Sequence, residues 1–237
     1  MTFATIARCP RTHKLGVGIA THAPAVGNRC PIVRPGMGAA SVQLIADPRQ
    51  TLLVGRLLDL GYSAQKVLAE VVSSDPFIHR RQIGIVDSYG NTAAFSAPLE
   101  GMHSLHVEGD GFVSMGNGVV SEAVVQEMAA SMTETADWEL SDRLMASLEA
   151  AVAAGGQSEG QFSGALLVFG DEPFAELDLR VDYHEGAVTE LRRIFDWFRP
   201  LIPYYLERPY DPYLEREDRW RSAVLAKAAE ATEHKSV

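Results

Sequence analysis

Cysteine is scarce: two residues, Cys9 and Cys30, in a chain of 237. They form no C-x-x-C pair and are too few for a disulfide framework, so they read as packing residues in a reducing compartment. Basic residues are also in deficit, with 21 Lys and Arg against 31 Asp and Glu and a formal net charge of −10. Without a basic patch to displace counterions, nucleic acid and anionic membrane surfaces are excluded as partners. No run approaches about 18 apolar residues and no charged segment precedes an apolar one at the N-terminus. A soluble, cytoplasmic protein is expected. The Walker loop, the G-x-G-x-x-G turn, H-E-x-x-H and G-x-S-x-G are all missing, so no cofactor is expected. The seven histidines are scattered, and the one close pair, His103 and His106, falls three apart on an expected strand, where side chains take opposite faces. No metal site is expected.

What is present is a hydrophobic content of 46% with 22% charged residues, enough for one large domain and an appendage. Residues 2–8 alternate, Pro10 to His13 turn, and residues 14–21 form a Gly-punctuated apolar run, together an antiparallel hairpin. The segment from His22 to Pro35, with three prolines, reads as irregular. Gly36 to Leu44 reads as a third strand. Asp47-Pro48 starts a helix with Leu52, Leu53, Leu57 and Leu58 on one face and Gly61 as its stop. A second helix runs from Ser63 to Asp75-Pro76, with Val67, Leu68, Val71 and Val72 inward.

A hairpin follows, 81–87 and 91–95, then strands near 103–107 and 111–116. Asn117-Gly118 leads into a third helix over about 120–133. A fourth covers roughly 139–154, with Leu140, Leu144, Leu148 and Val152 four apart and Gly155-Gly156 ending it. Strands near 162–169 and 176–182 precede a helix at 187–198 whose Val188, Leu191, Phe195 and Phe198 share a face. Strands and helices clustered in this way imply antiparallel sheets stacked between helical layers rather than a doubly wound parallel sheet.

From residue 200 the composition changes. Pro200, Pro203, Pro209 and Pro212 alternate with Tyr204, Tyr205, Tyr210 and Tyr213, an expected extended arm. A charged helix over about 214–232 follows, with Trp220, Val224, Leu225 and Ala228 on one side. Residues 200–237 are therefore separated from a main domain, 1–199, as a packed appendage or a contact for a homo-oligomer.

The chemistry centres on Thr2. Aminopeptidases usually remove an initiator methionine that precedes a small residue, which gives Thr2 a free α-amine beside its hydroxyl. Such an amine titrates near about 7.7–8.0, so a neutral fraction exists at pH 7 to act as base toward the hydroxyl. An ordinary second residue with no role fits the same letter.

The stretch Leu15 to Gly27, with Arg81 to Asp87, Gly116-Asn117, Ser163 to Val168 and Asp178 to Asp182, resembles the domain-of-unknown-function 1028 family, in consistent order over about residues 2–198. The family is regarded as similar to N-terminal-nucleophile (Ntn) hydrolases, so the resemblance implies an α+β fold, a four-layer αββα sandwich of two antiparallel sheets. It implies Thr2 as the nucleophile on a small-molecule amide or related C–N bond. Around it, Ser41 lines the pocket, Asn117 donates its amide to an oxyanion, Asp182 holds a charged group and His22 tunes substrate choice. Packing for Ser41, a common turn for Asn117-Gly118, a helix cap for Asp182 and a solvent-facing loop for His22 remain open beside these roles. Better-known members of the superfamily also use a lysine near the nucleophile, and the sole early lysine, Lys14, does not align to that role. A catalytically inactive Ntn fold that binds a ligand or forms an oligomer is the alternative function.

Overall fold

A computed structural model describes residues 1–233, with side chains to Lys227. The side chain of Ala228, and His234, lie outside the described residues. The chain divides into two compact units, residues 1–191 and from Arg192 onward.

In the first unit, β1 (Thr2–Arg8) and β2 (Leu15–Thr21) form the expected hairpin. They are the two central strands of a six-stranded antiparallel sheet. Its remaining members are β7 (His103–Gly109), β8 (Phe112–Val119), β9 (Ser163–Phe169) and β10 (Leu177–Val181), in the order β10-β9-β2-β1-β8-β7. A four-stranded antiparallel sheet contains β3 (Pro31–Arg34), β4 (Gly38–Leu44), β5 (Arg81–Asp87) and β6 (Thr92–Ser96) in sequence order. Helices α1 (Pro48–Asp59) and α2 (Ala64–Ser74) pack on the smaller sheet, and α3 (Ala123–Glu134) and α4 (Leu140–Ala153) on the larger. The result is an αββα sandwich.

The inter-sheet core follows from period-two alternation. Ala4 and Ile6 of β1, Val17 and Ile19 of β2, and Val113 and Met115 of β8 meet Ala39 of β4 and Val86 of β5, all of them fully buried. Close approach of the sheets needs Gly84 of β5: a Cβ there would lie 3.0 Å from Ile6 Cδ1 and 3.1 Å from Met115 Sδ. The outer faces of β4 and β5 turn Ala40, Val42, Ile83 and Ile85 toward Val54, Leu58, Val67 and Val71 of α1 and α2.

Several expectations are corrected. The 22–35 segment is not wholly irregular, because 31–34 forms β3. Pro31 is tolerated as the first residue of an edge strand. Leu52 is half exposed, since the buried stripe of α1 runs Thr51, Val54, Gly55, Leu58 at helical spacing and leaves Leu52 beside it. Val152 is also exposed: a four-residue repeat advances about 40° per step relative to a 3.6-residue turn, and after three steps Ala151 takes the buried place. Asn117-Gly118 is no turn but lies within β8, where Gly118 at φ +61° is skipped in the β7 pairing, His103 facing Val119 and Ser104 facing Asn117. Glycine there permits the left-handed bulge.

Helix α5 (Ala187–Phe198) continues into the second unit, where residues 199–207 are helical although an extended arm was expected and residues 208–216 form turns and coil. A short 3-10 turn (Arg199–Leu201), α6 (Ile202–Glu207) and α7 (Glu217–Glu233) follow. Pro200 and Pro203 occupy first-turn positions, where the missing N–H costs nothing. Within this unit Phe198 stacks on Tyr205 at 5.5 Å, and Tyr204 meets Trp220 at 5.6 Å.

Asp87 ties the β5–β6 turn to α2. Its carboxylate accepts from the backbone N–H of Ala64 at 3.0 Å, Tyr89 at 2.9 Å and Asn91 at 3.0 Å, and from the Asn91 side chain. Burial by itself raises its pKa, but these donors outweigh burial and hold it below the usual range. A depressed folded-state pKa means the stabilisation is full above the unfolded value and is lost as pH falls through the folded one. Asp87→Ala is expected to cost about 1–3 kcal/mol at pH 7 in urea unfolding. That difference from wild type should shrink toward acid pH.

Candidate active site

The pairing of β1 on both sides places four polar residues in one row across the end of the larger sheet. Ser163 of β9 faces Thr21 of β2, Thr21 faces Thr2 of β1, and Thr2 faces Asn117 of β8. All four are buried. Alternation turns Thr2 to the same side as Ala4 and Ile6, into the space between the sheets, whereas Thr5 points outward to Ser114 at 3.0 Å and Ser147 of α4 at 2.7 Å.

Thr2 Oγ1 lies 2.9 Å from Thr21 Oγ1, and Thr21 Oγ1 donates to the Met1 carbonyl. A hydroxyl carries one proton, so Thr2 is the donor within the hydroxyl pair. Ser163 Oγ donates to the Ala23 carbonyl at 2.7 Å and accepts from Val26 N at 3.1 Å, which closes that side of the row.

Behind the row lies a network of neutral amides. Gln82 Oε1 accepts from Gln43 Nε2 at 2.7 Å and from Asn117 Nδ2 at 2.9 Å. Gln82 Nε2 has three acceptors in reach: the Gly116 carbonyl at 2.9 Å, the Leu105 carbonyl at 3.0 Å and Ser96 Oγ at 2.8 Å. One side chain of β5 thus joins β4, β6, β7 and β8. Asn117 is oriented by Gln82, spends one Nδ2 hydrogen there, and leaves Oδ1 buried without a partner. Ser41 is fully buried and enters the network through Gln43 Oε1 at 3.3 Å; it is not bonded to Thr2.

The other two expected site residues lie apart. Asp182 follows β10 with its side chain exposed, and its backbone carbonyl accepts from Ala25 N at 2.9 Å. His22, next after Thr21, sits at the rim of the Thr2 end. Its Nδ1 is 3.2 Å from the Glu159 carbonyl, its Nε2 is 3.7 Å from the Glu159 carboxylate, and its ring meets Phe162 edge-on at 5.0 Å. Lys14 pairs with Glu176 at 2.7 Å at the far end of the hairpin, about 20 Å from Thr2 by strand rise. Thr21, Gln43, Gln82 and Glu159 were not singled out by sequence; sheet register brings the first three to this end, and the turn before β9 brings Glu159 to His22.

Neither thiol offers a competing nucleophile at this end. Burial pushes Cys30 up to about 11, against smaller opposing effects of Arg29 and the terminal amine, so it carries no thiolate at neutral pH. Cys9 follows the opposite end of β1. Ser96 Oγ does lie 2.9 Å from His106 Nδ1, but Ser96 is tied to Gln82, and no carboxylate bonds the His106 ring among the described residues. A cavity of about 470 Å³ lies at the far end, lined by Arg8, His13, Leu15 and Asp171 among others, and is separate from Thr2. Among the described residues no group of three or more His, Cys, Asp or Glu is placed to hold a metal, and no helix is long and apolar enough to cross a membrane.

The chain is a member of the family of unknown function DUF1028, whose model matches residues 2–191. A solved structure of a protein of this family from Silicibacter pomeroyi is 26% identical, with a TM-score of 0.75 over 83% of this chain and 88% of that one. Weaker likenesses, each 10% identical, are to Anbu (ancestral beta-subunit) from Yersinia bercovieri, at a TM-score of 0.42 over 86% of this chain and 97% of that one, and to an Anbu (Gly-1) mutant from Hyphomicrobium sp. strain MC1, at 0.43 over 92% and 100%. No curated protein matches.

Gln82→Ala leaves Gln43 Nε2, Asn117 Nδ2 and the Gly116 carbonyl without this partner. Urea unfolding is expected to show a loss of about 3–5 kcal/mol, well beyond the trimming of an apolar side chain of similar size at the surface.

Proposed function

We propose that the protein is an Ntn-type hydrolase of a small amide or related C–N bond, with Thr2 as nucleophile after removal of Met1. The observation that carries this reading is the position of Thr2: first residue of a central strand, buried between two sheets, its hydroxyl already bonded to a second hydroxyl. Loss of Met1 leaves the α-amine on the same residue as Oγ1. It also frees the Thr21 proton, which the Met1 carbonyl otherwise accepts.

In the reaction the neutral amine takes the Oγ1 proton as Oγ1 attacks the substrate carbonyl. The tetrahedral oxyanion draws on the Thr21 hydroxyl and on the second Nδ2 hydrogen of Asn117. The C–N bond breaks as the ammonium returns the proton to the leaving nitrogen, and water, deprotonated by the same amine, then cleaves the threonyl ester. Ser41, bonded to Gln43, contributes through the network, and His22 contributes at the rim. Asp182, on the surface, is proposed only as an outer contact for charged substrates.

Burial lowers the pKa of the Met1 amine from its ordinary 8.0, although the Glu159 carboxylate opposes the shift. In a processed chain the α-amine is carried by Thr2, and Met1 no longer lies beside it. A base must be neutral, so kcat/KM is expected to rise with pH to a plateau as the Thr2 ammonium loses its proton.

Intact mass and N-terminal sequencing of the native protein are expected to show a chain starting at Thr2. In a screen of small amides, Thr2→Ala is expected to lose at least about a thousandfold in kcat/KM. A chain that keeps Met1 throughout, or a Thr2→Ala variant of undiminished activity, returns the protein to the alternative role of ligand binding or assembly through residues 200–237.

A further inference from the structure

Met1 is itself packed as an occupant of the candidate site. Its carbonyl accepts from Thr21 Oγ1. Its side chain lies against Gly118, where a Cβ would overlap Met1 Cγ and come within 3.0 Å of Met1 Cβ and 3.2 Å of Sδ. Gly118 is the bulged residue next to Asn117, so the strand irregularity and the methionine side chain occupy the same spot. The amine of Met1 feels the charge of Glu159, the residue that also faces His22 at the rim. Carbonyl and apolar side chain of one α-amino acid thus each have a contact, a hydroxyl donor and a surface without a Cβ, while the Glu159 carboxylate at the rim acts on the amine from longer range.

We propose that the space Met1 vacates is an aminoacyl subsite, taking the acyl part of an α-amino acid amide with a free amino group and an unbranched apolar side chain. This rests on the hydrolase reading and deepens it: Thr2 would release the free amino acid and the amine it was joined to. Thr21 Oγ1 would bond the scissile carbonyl as it bonds the Met1 carbonyl. Gly118 would floor the side-chain space because any larger residue projects a Cβ into it. Glu159 selects an ammonium over a neutral acylated nitrogen.

The test uses the full chain carrying Thr2→Ala, confirmed by mass to begin at residue 2, so that ligands bind without being consumed. Calorimetric titration with L-methioninamide, N-acetyl-L-methioninamide and glycinamide is compared. Methioninamide is expected to bind about fivefold or more tightly than its acetylated form, the scale of a partly exposed charge pair. Adding Glu159→Gln, a change at an exposed side chain, should erase that difference, and adding Gly118→Ala should weaken methioninamide while sparing glycinamide. Equal binding of the acetylated compound, a preference that survives Glu159→Gln, or no binding of methioninamide overturns the subsite. The expected binding pattern without hydrolysis by the Thr2 protein retains the subsite and sinks the catalytic reading. Hydrolysis that favours acetylated substrates does the reverse.

Discussion

The constraint on which the site depends is the register of β1. Because this strand is paired along its length with β2 on one edge and β8 on the other, it has no freedom to slip. A one-residue slip would exchange the inward set Thr2, Ala4 and Ile6 for Phe3, Thr5 and Ala7. The apolar members of the inward set enforce this, since Ile6 fits against Gly84 of the opposite sheet with no room for a Cβ between them. The same packing that builds the middle of the sandwich therefore aims the hydroxyl of Thr2 between the sheets at its end.

At that end the interior changes from hydrocarbon to amide and hydroxyl. Charges there would cost several kcal/mol each to desolvate unless paired, and unpaired they would shift their protonation to escape. Neutral amides avoid this, provided their donors and acceptors are matched, and Gln82 matches most of them by bonding strands of both sheets. Within this network Asn117 Oδ1 has no partner. A buried acceptor left unmatched costs about 1–3 kcal/mol, and it does so beside the residue proposed to carry out chemistry. Processed Thr2, facing Asn117 in register, supplies an amine whose N–H groups are of the kind this oxygen lacks.

Legibility in the sequence followed the range of the interaction. Hairpins and helices were readable because alternation, prolines and capping residues act within a few positions: Asp47 does accept from Arg49 N, and Ser63 from Lys66 N. Thr2 stood out in the sequence as a candidate because its proposed chemistry resides in one residue. The amide network was not, since Gln43, Gln82 and Asn117 are separated by 39 and 35 positions and each alone is an ordinary polar residue. Asn117-Gly118 misled for a related reason. Its letters favour a turn, but β1 pairs with β8 through Asn117, and the left-handed glycine is absorbed as a bulge. The Pro/Tyr segment misled through proline, which begins helices as readily as it prevents them.

Met1 packs beside Thr2 at this end of the sheet. Thr2 is 5% exposed, and the methionine side chain, carbonyl and amine cover what would otherwise be its approach. In the chain with Met1 the hydroxyl of Thr21 is engaged, the nitrogen of Thr2 is an amide without basicity, and the Met1 side chain fills the space against Gly118. One bond cleavage changes all three together: it converts the amide nitrogen into a base, frees a donor and vacates a volume. Under the proposed mechanism Thr2 would act only after Met1 leaves, because the residue beside the site and the proposed nucleophile are joined by the same peptide bond.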